Sequence, residues 1–146
     1  MGRRFRALAV FAALILLLAS GSGTIWASPP ATFQPDGTIV FGTSIDGRHN
    51  LHHIRSAFGP TDHFSWRAQF LDDVKDKRVK REILDSHGHI IFSIYPFHSG
   101  KTIGYAWGDF PMKTFRRDDH IRKAGTYTMR YFNGREKLAE GTFTIK

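Results

Sequence analysis

The chain has 146 residues, 41% of them apolar and 23% charged, with a formal net charge of +8 and no cysteine. That length suits one domain with its own core. Lack of cysteine excludes disulfide cross-links, a thiol nucleophile and a thiolate metal site.

The N-terminus reads as an export signal. Arg3, Arg4 and Arg6 precede an uninterrupted apolar run of 13 residues, Ala7 to Ala19, and the small residues Ser20, Gly21, Ser22 and Gly23 follow. A basic start, an apolar middle and small residues in that order form a secretory signal, with a cut after Ala27 as the expected site. The alternative is an uncleaved anchor, because the run extended to Trp26 spans about 20 residues, close to a bilayer width. In both cases the arginines stay on the cytoplasmic side and the chain from Ser28 onward is extracytoplasmic, secreted or held at the cell envelope. Membrane contact is expected only through residues 1–27. Export without disulfides is a bacterial habit.

Residues 28–146 carry 18 basic and 13 acidic side chains, a net charge of +5. This mild excess favours anionic surfaces such as a cell-wall polymer. It forms no basic stripe, so nucleic acid is not an expected partner. The densest cluster, Lys75 to Arg81, reads as a solvated turn and strand edge.

Pro29, Pro30 and Pro35 make residues 28–36 an extended linker, since proline donates no backbone hydrogen bond and restrains the residue before it. From Gly37 the apolar pattern has period two. Phe64, Trp66, Ala68 and Phe70 share one side of a strand whose other side is Ser65, Arg67 and Gln69. Ile90, Phe92 and Ile94 alternate similarly and are expected to be a buried face, as are Tyr127, Met129 and Tyr131. Further expected strands are Thr38 to Gly42, Val79 to Asp85, Ile103 to Asp109, Lys113 to Arg117 and Lys137 to Ile145. Between Arg48 and Phe58 a helix and an irregular strand fit equally well. Asn133 and Gly134, both tolerant of positive φ, are expected to close a tight hairpin between the last two strands. About seven or eight short strands and no amphipathic helix give an all-β fold over residues 37–146, a single antiparallel β-sandwich with a closed barrel as the alternative.

The C-terminal third, with Ala124, Gly125 and Tyr127, then Asn133 and Gly134, then Leu138, Ala139, Gly141, Phe143 and Ile145, resembles the closing hairpin of immunoglobulin-like and fibronectin type III-like sandwiches of exported bacterial proteins. The resemblance implies that Tyr127 forms a corner, its hydroxyl bonded to nearby backbone and its ring in the core. It also makes Trp66 similar to the core tryptophan of such domains. A fold of this kind implies no particular activity.

Three constellations bear on function. Eight histidines include His49, His52 and His53, and the pair His87 and His89 flanking Gly88; imidazole ligates Zn²⁺ and Cu²⁺, and solvent-facing loop residues are the simpler reading. Tyr105 and Trp107 alternate with Gly104, Ala106 and Gly108. Facing inward, the preferred reading, these rings are core; facing outward they form a platform for sugars or for a protein partner. Candidate catalytic groups, Asp72 with Asp73, Asp118 and Asp119 beside His120, and Ser86 beside His87, read as solvated turns, and no catalytic motif is present. The expectation is a non-enzymatic binding or accessory module with no cofactor, acting on another envelope or extracellular protein. A histidine-based Zn/Cu carrier and a carbohydrate-binding module are the alternatives.

Overall fold

The computed structural model describes residues 35–146; the leader and most of the Pro-rich linker lie outside the described residues. Among the described residues ten strands and one short α-helix follow in order, with a single 3-10 turn at Asp76–Arg78: β1 (Ile39–Gly42), β2 (Ser44–Ile45), β3 (Leu51–His52), β4 (Ala57–Phe58), β5 (His63–Lys75), β6 (Val79–Leu84), β7 (Ile90–Ile94), β8 (Thr102–Pro111), α1 (Met112–Asp118), β9 (Gly125–Asn133) and β10 (Glu136–Ile145). One sheet has the order β1-β5-β8 and is antiparallel throughout. The second has the order β4-β10-β9-β6-β7, with β4 parallel to β10 and the other pairs antiparallel. β2 and β3 form a small separate ribbon. The fold is an all-β sandwich.

The core lies between the two sheets. Alternation along β5 aims Phe64, Trp66, Ala68 and Phe70 inward, and all four are buried. Phe64 meets Phe143 of β10 at 4.8 Å and Phe58 of β4 at 4.8 Å between ring centroids. Trp66 is 1% exposed, and its indole N–H donates to the Tyr131 hydroxyl across the sandwich at 3.0 Å. That bond satisfies a donor which would otherwise be buried at a cost. On the neighbouring strand, Trp66 faces Gly108, where an added Cβ would overlap the indole ring. The glycine is there because the indole occupies the space.

An ion pair closes one side of this core. Arg81 of β6 donates through Nη2 to both carboxylate oxygens of Asp119, at 2.9 and 2.8 Å, and its guanidinium lies 5.1 Å from the Trp66 ring and 5.5 Å from that of Phe92. Burial pushes the Asp119 carboxyl up to about 6 against the pull of Arg81. Asp119 is therefore not the solvated turn acid expected from its neighbours.

Three further expectations are corrected, and one left open is decided. Residues Lys113 to Arg117 belong to α1, not to a strand. Met112 and Phe115, three apart, bury one side of a helix of under two turns, too short for its period to stand out from alternation. β7 does not bury Ile90 and Ile94, which are 54% and 41% exposed; Phe92 is half-buried. β7 is the outermost of five strands facing a sheet of three, so its far side has no covering layer. The final hairpin turns one residue later than expected: Asn133 pairs with Glu136, and only Gly134 of the two takes positive φ, at 62°. Its two-residue loop is thus Gly134–Arg135 with glycine first, the type II′ arrangement. Between Arg48 and Phe58 the chain forms β3, β4 and turns rather than a helix.

Tyr127 is buried, and its hydroxyl donates to the Lys123 carbonyl at 2.6 Å. Tyr127→Phe is expected to cost about 1 kcal/mol in urea unfolding, and Trp66→Ala about 3–5 kcal/mol; equal midpoints for wild type and Trp66→Ala would contradict the packing described. The Asp119 carboxyl, near 3.8 when unfolded, contributes stability that is fully present below about pH 4 and lost as pH rises through about 6. The carboxyls of Asp62, Asp76 and Asp85, held below the ordinary range by hydrogen bonds from Gly59, Ser99 and His89 respectively, act below that window and with opposite sign. Urea midpoints are therefore expected to fall between pH 4.5 and 6.5, by about 1–3 kcal/mol in stability, and the slope to vanish in Asp119→Asn.

Candidate functional site: an aromatic and basic platform

Where β8 runs beside the Trp66 indole it carries only Ala106 and Gly108 on its inner side, with Phe110 stacked on the ring further along, and its period of two turns Tyr105 and Trp107 outward. They are 38% and 43% exposed, which corrects the expectation that they belong to the core. On β5 the same period brings Arg67 opposite Trp107 and Gln69 opposite Tyr105. The Arg67 guanidinium carbon lies 4.9 Å from the centre of the Tyr105 ring, a favourable cation–π placement.

The turn between β2 and β3 completes the surface. Its geometry is set by Asp46, whose carboxylate accepts the backbone N–H of Arg48 at 2.8 Å and of Asn50 at 2.9 Å, and the Asn50 side-chain amide at 3.1 Å. These bonds, that from the Asn50 N–H foremost, hold the Asp46 carboxyl well below the usual carboxylate range. His49 sits on this turn with φ of 62°. Its ring stacks on Trp107 at 4.4 Å and 21°, and its Nδ1 lies 3.1 Å from the Tyr105 hydroxyl. Arg67 Nη1 donates to the His49 carbonyl at 3.3 Å. Three rings and a guanidinium are thus braced against one another on the open face of the three-stranded sheet.

Such a surface offers flat apolar area, a cation and hydrogen-bonding edges, which is chemistry for recognition. On the same strands Ser65 and His63 both bond to Asp109, at 2.6 and 2.8 Å. Ser65 is fully buried and donates its hydroxyl proton to the carboxylate, so it is not presented as an activated nucleophile.

The histidines expected as metal ligands separate into different settings. His49 belongs to the platform. His52 on β3 lies 3.3 Å from Asp46, and His53 is exposed in the following turn with φ of 50°. No helix places His49 with His52 or His53 on one face. His87 and His89 do come together, and Asp85 joins them: one donor atom from each of the three lies within 4.8 Å of the others, the single such histidine and carboxylate group among the described residues. Sequence reading singled out neither Arg67 nor Asp85. The Asp-x-His-Gly-His spacing signals the second; the pairing partner of β8 was needed for the first.

No protein-family model and no curated protein matches the chain. Among solved structures, it is similar to an immunoglobulin-like protein from Pseudomonas aeruginosa, at 17% identity and a TM-score of 0.48 over 76% of this chain and 94% of that one.

The described burial gives a direct optical test. In a Trp26→Phe background, Trp107→Phe is expected to remove the acrylamide-quenchable, red-shifted part of the tryptophan emission and leave a blue-shifted, poorly quenched remainder from Trp66. A remainder as quenchable as the parent would contradict the outward placement of Trp107.

Proposed function

We propose that this protein is an exported, non-enzymatic binding module of the cell envelope that contacts another protein through the platform of His49, Arg67, Tyr105 and Trp107. The observation that supports it is the exposure of two large rings that are nevertheless held in place by a stacked histidine and a guanidinium. Trp, Tyr and Arg are the residues that dominate binding energy at protein interfaces. Rings fixed before contact lose little conformational freedom when a partner arrives, so more of the contact energy appears as affinity. The leader supplies the route out of the cytosol, and the mild positive charge of the exported part suits an envelope rich in anionic polymer.

A photoreactive phenylalanine analogue placed at position 107, in cells producing the full chain, tests this reading. The expected result is one discrete crosslinked protein, absent when the analogue is placed at Arg135 and lost when Arg67→Ala is added. With that partner in hand, Trp107→Ala is expected to weaken binding by about 30-fold or more. A smear sensitive to cell-wall hydrolases would indicate a polysaccharide ligand instead, and adducts no different from those at position 135 would contradict the proposal.

A further inference from the structure

The turn from β6 to β7 belongs to the other sheet and is built around a carboxylate. Its backbone is closed by Asp85 N–H to the His89 carbonyl at 3.0 Å and by Gly88 N–H to the Asp85 carbonyl at 3.0 Å, with Gly88 at a φ of 81°. One oxygen of the Asp85 side chain accepts the backbone N–H groups of His87 at 2.8 Å and of His89 at 3.0 Å. The carboxylate is therefore fixed over the turn, with its second oxygen directed at the imidazoles: 3.3 Å from His89 Nδ1 and 4.0 Å from His87 Nδ1. The two rings lie 6.0 Å apart and 22° from parallel, on side chains that are each 78% exposed.

We propose that Asp85, His87 and His89 form a three-donor site for a borderline divalent transition ion, Zn²⁺ or Cu²⁺. Donors about 2.0–2.2 Å from one ion in tetrahedral geometry are separated by about 3.3–3.5 Å. The Asp85 and His89 donors already have that spacing, and His87 reaches it by rotating an imidazole that faces solvent. Two imidazoles with one carboxylate suit zinc and copper, whereas calcium and magnesium prefer all-oxygen shells. Three protein donors leave a position for water or for a group from outside. The hydrogen bonds that fix the carboxylate also remove part of the ordering cost of binding, and Gly88 lets the two histidines stand on either side of a tight turn.

The test is titration of the tag-free exported chain with ZnCl₂ and with CuSO₄ in a non-chelating buffer, followed by calorimetry and by ¹H–¹⁵N spectra. The expected result is binding of one ion with a Kd on the order of 10 μM or tighter, copper ahead of zinc, and Cu²⁺ broadening centred on residues 85–89. His87→Ala and His89→Ala are each expected to weaken binding at least tenfold, whereas His52→Ala leaves it unchanged. Both substitutions fall on exposed side chains, so the fold survives them. No binding of either ion below about 100 μM, or binding that is indifferent to His87→Ala and His89→Ala, would overturn the proposal. The platform at Trp107 does not enter this experiment, so either proposal can fail without the other.

Discussion

The placement of one indole constrains most of this molecule. Trp66 stands between the two sheets with its N–H on the Tyr131 hydroxyl, and a side chain of that volume fits only because the strand beside it has no side chain at position 108. Close packing leaves no room for a second large group at such a point. β8 must therefore stay small where the indole lies, with Gly108 and Ala106, and its period of two then delivers Tyr105 and Trp107 to the outside. The same residue that organises the core thus determines which side chains β8 exposes to solvent.

Much of this was legible in the chain, and the failures have physical causes. β5 announced itself because four large or small apolar residues alternate with polar ones over a half-buried strand, a pattern that needs no knowledge of the rest of the fold. β8 was harder: rings alternate with glycines, and the pattern shows two faces without saying which is inside. Only the bulk of Trp66 on a strand 40 residues earlier decides it. β7 misled for the opposite reason. Its alternation is real, but burial depends on whether another layer lies over it, and an outermost strand of the wider sheet has none. The final hairpin was recognised by its Asn-Gly pair, yet a pairing of Asn133 with Glu136 moved the turn by one residue.

The polar groups follow a similar division. Asp46 and Asp85 each hold their own turn by accepting backbone N–H groups two to four residues on, a role that short acidic side chains take in loops. Such roles are visible from composition. Asp76, which accepts the N–H groups of Ser99 and Gly100 23 and 24 residues on, and Asp119, whose partner Arg81 lies on a strand 38 residues away, are different, because only folding brings their partners to them. Removing one member of such a buried pair leaves an uncompensated charge, which ties the end of α1 to the sheet and so to Trp66, over which Arg81 is stacked. The candidate platform and the candidate metal turn lie on different sheets, each braced locally, and share only this core.

The dependence of β8 on the indole is measured most directly by a double-mutant cycle between Trp66 and Gly108. Gly108→Ala in the wild-type chain is expected to cost about 2 kcal/mol or more in equilibrium unfolding, because the new methyl group meets the ring. In a Trp66→Leu background the same substitution is expected to cost almost nothing, giving a coupling of about 2 kcal/mol or more. Equal costs in both backgrounds would show that the glycine is not there for the indole, and that the outward turn of Tyr105 and Trp107 has another origin.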